Sequence, residues 1–471
     1  MIELIVIVPF IIGILIFFVK ESKILLPITG IIHFTLTMLS WGGFLKPMFN
    51  KYVFLSSDGM IVLLITSFLF LIISFYTVFY LKEVKYENEK IFNAFMILFL
   101  ASMSSVAISD NLILFWISVE ATTITSAPLI FIHKSKTSIE AAWKYVIICS
   151  VGIALALLGT FLIAIARDEA NLKIALSFTE LYKNPSLLKM EWLKAGFVFI
   201  LIGYGTKMGL APMHTWLPDA HSEAASPASA LLSGALLNTA FLGIFKITKV
   251  LKVTEAGTFA EMSLIILGLL SMLIAAVFIL KQVDYKRMLA YSSVENMGII
   301  AFGAGIGGIA AYGAIFHLIH HALIKSSLFL SAGNVLISYE TKLIEKIGNM
   351  VKFLPKTFIA MFLGTVAILG FPPFGLFFSE FLIIVGSIKK GKYVAVSLFV
   401  FSLILIVAGF IKYMLKMYYD KTEYEPKIKE NNWRVYPQYI LLSTSFIITF
   451  FQFNQLLELI NKAVEVFGGA L

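Results

Sequence analysis

Apolar residues in this chain come in long unbroken runs separated by short polar connections. Clear runs cover 4–19, 60–81, 264–280 and 397–411. About 20 apolar residues in helical form cross a bilayer. The pattern predicts helices near 2–19, 24–45, 59–81, 91–108, 111–132, 139–166, 195–212, 228–248, 262–280, 287–306, 309–338, 355–386, 393–418 and 435–457. This describes an all-α polytopic membrane protein of about fourteen segments. Two segments carry internal breaks. The seventh runs into Gly209-Leu210-Ala211-Pro212, and the twelfth contains Gly370-Phe371-Pro372-Pro373-Phe374-Gly375. Proline removes a backbone donor, and broken helices persist at membrane depth where protein or a wet cavity satisfies the freed groups.

The breaks at Pro212 and at Pro372 and Pro373 lie five segments apart. That is the spacing of two related five-helix halves, inverted because five is odd. The expected divisions are 1–90 for segments one to three, 91–252 and 253–420 for the repeats, and 421–471 for the last loop and helix. Of the 37 Lys and Arg residues, twenty fall in odd-numbered loops, thirteen in even-numbered loops and the C-terminal stretch, and four inside segments. The bias predicts odd loops in the cytoplasm and both termini on the outer face of the cell membrane.

Composition agrees with burial in lipid: 59% of the 471 residues are hydrophobic and 14% charged, against about 25% charged in soluble domains. The net charge of +9 does not indicate nucleic-acid binding. The basic residues sit in short loops beside apolar runs, as membrane-flanking residues do. One cysteine, Cys149, cannot build a disulfide, a zinc site or an iron–sulfur cluster. Mid-membrane histidines fall on a single segment, so a transmembrane haem has no facing ligands. The chain is expected to bind no cofactor or metal and to hold no catalytic domain. Glu3 stands where a cleavable signal needs basic residues, so the first segment is expected to remain.

Charges inside apolar segments cost about 2.5–3.5 kcal/mol on insertion scales and usually mark ion paths. Here they form a series. Glu120 lies in segment five, Lys144 in six, Lys207 in seven before the break, and Lys246 in eight. His317, His321 and Lys325 share one face of segment eleven at i, i+4 and i+8. Glu380 follows the double proline in segment twelve. Burial disfavours the charged forms of lysine and glutamate, so such groups can exchange protons with water, and histidine can bridge them. One buried Lys–Glu pair alone can simply join two helices. Lys246, close to a segment end, can snorkel to the interface. His33 and His133 are expected at the interface, and His320 as a packing residue.

At these residues the chain resembles the antiporter-like subunits of respiratory complex I, the Mrp sodium/proton antiporters and the membrane-bound hydrogenases. The resemblance runs from about Phe92 to Met417. It is carried by Lys207-Met208-Gly209-Leu210-Ala211-Pro212-Met213-His214-Thr215-Trp216-Leu217-Pro218-Asp219-Ala220-His221 and by Asp284-Tyr285-Lys286-Arg287-Met288-Leu289-Ala290-Tyr291-Ser292-Ser293. It implies fourteen helices, two inverted repeats, and ion-translocation roles for Glu120, Lys207, His317, His321, Lys325 and Glu380. Two departures stand out: Asn238 occupies the place of a frequent central lysine, and Ala225 that of a common proline. Ser292-Ser293-Val294-Glu295-Asn296-Met297-Gly298 is most similar to the energy-converting hydrogenase and formate hydrogenlyase branch. That branch implies a proton- or sodium-translocating subunit beside other membrane subunits and a peripheral arm with iron–sulfur and nickel–iron centres. An Mrp-type antiporter, a solute transporter and a non-conducting scaffold are the competing functions. Two routes past Asn238 are open: the eleventh-segment histidines, or Lys246.

Overall fold

The computed structural model describes residues 1–19, 22–168, 175–422, 424–451 and 453–469. Lys20 and Lys173, used in the loop-charge comparison, and the terminal Leu471 lie outside them. The helices are α1 (Leu4–Leu15), α2 (Ser22–Trp41), α3 (Ser57–Glu83), α4 (Glu89–Ile108), α5 (Leu112–Ile130), α6 (Lys136–Asp168), α7 (Phe178–Lys183), α8 (Met190–Met208), α9 (Trp216–Glu223) and α10 (Ser226–Leu231). They continue as α11 (Leu237–Lys252), α12 (Gly257–Ile279), α13 (Tyr285–Ile306), α14 (Ile309–Tyr339), α15 (Met350–Phe353), α16 (Pro355–Ile368), α17 (Gly375–Lys389), α18 (Tyr393–Tyr419), α19 (Asn432–Phe450) and α20 (Asn454–Val464). Side chains set several starts. Asn111 accepts from the amides of Ile113 and Leu114, and Asp284 from those of Lys286 and Arg287, so orphan donors at the helix starts are satisfied.

Among the described residues, ten spans are long and apolar enough to cross a membrane. The protein is thus a multi-span membrane protein. The remaining predicted segments are short, bent or polar. Leu4–Phe18 and Pro355–Ile368 fall short in length. α13 has the length but carries Lys286, Arg287, Glu295 and Asn296. Nearly all its residues are buried, so protein rather than lipid surrounds its polar groups.

The two predicted breaks are present. α8 ends at Gly209, whose left-handed φ of 83° suits a residue without a Cβ. The chain then resumes as α9, further than the 195–212 segment anticipated. Protein groups satisfy this break: Trp216 Nε1 donates to the Thr206 carbonyl at 2.8 Å, and the Ala211 amide donates to Ser271 Oγ of α12 at 2.9 Å. The second break lies between α16 and α17, around Pro372 and Pro373. The last segment, expected as one helix over 435–457, is instead divided into α19 and α20. A third irregularity is a π-helical turn, Leu232–Leu236, between α10 and α11. Such turns often lie at functional sites.

Candidate ion-translocation site

α5, α6 and α8 pack together and bring Glu120 and Lys207 into one polar cluster. Lys207 is fully buried. Its Nζ donates to Thr123 Oγ1 at 2.8 Å and to the Tyr145 hydroxyl at 2.6 Å. Thr123 Oγ1 in turn donates to Glu120 Oε2 at 3.3 Å. Glu120 and Lys207 are therefore one hydroxyl apart, not in direct contact. A threonine hydroxyl can accept a proton from the ammonium while passing its own to the carboxylate, which moves one proton and leaves Thr123 unchanged. Ser150 of α6 donates to Glu120 Oε1 at 3.0 Å. Tyr145 also shares a 2.6 Å hydrogen bond with Ser126.

A second cluster lies on α13, α14 and α17. Glu295 Oε2 accepts from Ser292 Oγ at 3.2 Å and from Asn296 Nδ2 at 3.0 Å. Asn296 Nδ2 also donates to the Ser292 carbonyl, which can only accept. This orients the amide, so Asn296 Oδ1 faces His317 Nε2 at 2.9 Å and that nitrogen carries a proton. His317 Nδ1 lies 2.9 Å from Ser379 Oγ, and the same hydroxyl lies 2.8 Å from the Leu376 carbonyl. With His317 neutral, Ser379 donates to Nδ1. With His317 protonated, Ser379 must turn its proton to Leu376. The next residue, Glu380, lies against Gly370 at the break, where a Cβ would collide with its carboxylate. Lys325 is fully buried, donates to the Leu289 carbonyl at 2.6 Å, and interacts electrostatically with Glu295.

The eleventh-segment residues are thus all buried but do not form a bonded file. His317 bonds outward to α13 and α17, while both nitrogens of His321 lack a partner among the described residues. Asn238 back-bonds the Gly234 carbonyl at 2.8 Å, and its Oδ1 is likewise without a partner there. Lys144 departs from the expected buried charge. It is 47% exposed and pairs with Glu140 and Asp219, because it lies within three turns of the start of α6. Lys246 does not snorkel out. It is 4% exposed, its Nζ donates to the Ser109 carbonyl, and its charged neighbours are Asp58, Asp110 and Lys249. His33 is not interfacial either: it joins α2 to α3 and α4 through Ser67 and Ser104, both at 2.8 Å. His133 is exposed in the turn after α5. His320 packs edge-on to Phe316 and reaches Ser445.

Several residues of these clusters were not singled out by the sequence reading. Thr123 and Tyr145 connect Lys207, and Glu295 and Asn296 anchor the second cluster. Lys286, counted among loop charges, is fully buried with its Nζ on the Ala224 carbonyl at 2.7 Å. Arg434, also counted there, is 2% exposed. Glu295 could have been found by its place five segments after Glu120.

Residues 109–406, which hold both clusters, match the transmembrane family profile described as NADH:quinone oxidoreductase/Mrp antiporter. The chain belongs to this family. Hydrogenase-4 component F homolog of Methylacidiphilum infernorum is 40% identical over 302 residues, covering 64% of this chain and 63% of the relative. Hydrogenase-4 component B of Escherichia coli is 33% identical over 339 residues, or 69% of this chain and 49% of the relative. A Na⁺/H⁺ antiporter protein of Alkalihalophilus pseudofirmus is 28% identical, covering 86% of this chain and 53% of the relative. The matches thus span about half to under two thirds of these relatives' length. Among solved structures, a chain of the archaeal membrane-bound sulfane sulfur reductase superposes with a TM-score of 0.87 at 20% identity, covering 100% of this chain and 98% of that one. A chain of the Mrp complex from Dietzia sp. DQ12-45-1b gives 0.86 at 17%, covering 99% and 97%. At these identities the likeness concerns the fold. The antiporter-like family thus joins hydrogenase, Mrp and complex I relatives.

Proposed function

We propose that this chain is the proton- or sodium-translocating membrane subunit of a redox-driven complex of the membrane-bound hydrogenase or formate hydrogenlyase type. The observation that carries the reading is the Lys207–Thr123–Glu120 chain: a buried lysine and a half-buried glutamate joined by a hydroxyl able to pass a proton. Its place in a redox complex draws on the hydrogenase-4 relatives at 40% and 33% identity. In this reading α1, α13, the α16–α17 pair and α19 complete fourteen spans. Residues 91–252 and 253–420 form inverted repeats after the helices of 1–90 and before 421–471. Both termini lie on the outer face of the cell membrane. The chain itself binds no redox cofactor; other membrane subunits and an iron–sulfur, nickel–iron arm supply the driving reaction.

The test is to purify the native complex, identify its subunits, and measure ion uptake by vesicles driven by its own electron donor. Uptake coupled to hydrogenase turnover, lost in Glu120→Gln at normal assembly, is expected. A complex without redox subunits that exchanges Na⁺ for H⁺ would establish the second reading, an Mrp-type antiporter, favoured by the 86% coverage of this chain in the antiporter alignment.

A further inference from the structure

One charged cavity is not used by either cluster. It has a volume of about 330 Å³ and lies where α3 and α5 begin and α4 and α11 end. Asp58, Asp110 and Lys246 are buried in its wall and Lys249 partly so, while Lys462 and Glu465 line its outer side. A liquid water occupies about 30 Å³, so the space holds several. Asp58 is 5% exposed. Its Oδ1 pairs with Lys249 at 3.0 Å, and its Oδ2 has no partner among the described residues. Asp110 Oδ1 accepts from the amide and hydroxyl of Thr179 at 3.2 and 2.9 Å. Lys462 is 66% exposed, so the cavity reaches the surface there.

The inner wall is Lys246. Its Nζ lies 6.0 Å from the Phe115 ring centroid. Phe115 precedes Glu120 by five residues, about 7.5 Å along α5. Lys246 is eight residues from Asn238, about 12 Å along α11, and its charged neighbours are those of the cavity. It therefore does not replace the central lysine; it stands at the inner end of the cavity, beside the α5 residue that precedes Glu120 by five. A purely structural role would need only the Ser109 carbonyl, a normal use of lysine at a helix end. That role explains neither the two buried aspartates nor the open space.

We propose that this cavity is a proton port connecting the face of the even-numbered loops with Glu120, and that Lys246 is the group through which protons enter or leave. The step at Lys246 is a proton step: an amine takes up and releases H⁺, whereas its ammonium form repels Na⁺. The port rests on the translocation reading above and adds to it the route of access.

The experiment uses the assembled complex in vesicles, with Cys149→Ser as the background. Lys246→Cys is expected to react with a membrane-impermeant trimethylammonium-ethyl thiosulfonate from the even-loop face only, and to lower proton uptake about tenfold. Attachment of an aminoethyl group, which restores an amine, should recover most of the uptake; a methyl disulfide should not. Should Lys246→Cys fail to assemble, Tyr182→Cys at the cavity wall provides a second readout. Its modification with a bulky thiol reagent should lower uptake relative to the same vesicles before treatment. Absence of labelling, labelling from the opposite face, or unchanged uptake in Lys246→Cys each overturns the port. Failure of the broader reading looks different: Glu120→Gln would then pump normally, whatever the labelling.

Discussion

In the cluster on α5, α6 and α8, a carboxylate and an ammonium are one hydroxyl apart. In the cluster on α13, α14 and α17, the carboxylate is joined to an imidazole through an amide, and the lysine is held by a backbone carbonyl. The first arrangement is short, and each proton step moves charge between two fixed groups. The second is longer and contains a group, Ser379, with two acceptors to choose between. A short relay suits tight coupling of two charges. A longer one, ending at Glu380 beside a broken helix, suits controlled exchange with the surroundings.

The largest expected effects fall on the first cluster. Glu120→Gln removes a half-buried charge and Lys207→Met a buried one, and each strands its partner. Hydrogen bonds to charged groups contribute about 1.5–3 kcal/mol, so ion uptake in vesicles should fall by about ten- to a hundredfold with assembly preserved. Uptake within twofold of the parent in either variant would remove that pair from the path.

Thr123→Val keeps the shape of the hydroxyl residue and deletes the bridge. Uptake should fall about tenfold, near the lower end of the same range. The decisive measurement is the pair Thr123→Val with Glu120→Gln. If the hydroxyl acts only by linking the two charges, the double variant is no worse than Glu120→Gln alone. Additive losses would mean that Thr123 acts elsewhere.

The second cluster should respond less to loss of a hydroxyl. Ser379→Ala removes one of His317's two partners but leaves Asn296 in place. A loss of about threefold is expected, within the range of one neutral hydrogen bond. The pH dependence of uptake should also move, because Ser379 turns only when His317 changes protonation. Glu295→Gln, which removes the charge itself, should cost at least tenfold. Equal losses in Ser379→Ala and Thr123→Val would erase the contrast between the clusters.

Much of this was legible from residue types and spacing. Apolar runs located the helices, and glycine with proline located both breaks. The charges on successive segments pointed to Glu120, Lys207, Lys325 and Glu380; the fold buries the last three and half-buries Glu120. What the sequence could not convey was the direction each side chain takes. Lys144 and Lys246 both lie in apolar segments, yet one emerges beside Asp219 and the other closes a cavity. Thr123, Tyr145 and Asn296 are ordinary polar residues in a helix, and only the packing of a second helix brings them to Lys207 and His317. α13, anticipated as a segment over 287–306, keeps its polar residues because it is surrounded by protein rather than lipid.

The smallest expected effect tests whether Lys207 needs both of its hydroxyl partners. Tyr145→Phe removes the 2.6 Å bond but keeps a ring whose centroid lies 4.7 Å from the ammonium. An aromatic face near a buried cation contributes up to about 2 kcal/mol, so the charge remains partly stabilised. Tyr145 bonds Ser126 and also interacts with the Thr123 side chain, but among the described residues no hydrogen bond joins it to the Glu120 carboxylate, so any path through it still passes Thr123. Tyr145 should therefore hold Lys207 in place without carrying the proton. Tyr145→Phe should lower uptake only about twofold, against about tenfold for Thr123→Val, although the tyrosine bond is the shorter. Shortness alone would forecast the opposite order. Uptake measured in the two variants side by side decides whether the proton follows the tighter contact or the one that reaches the carboxylate.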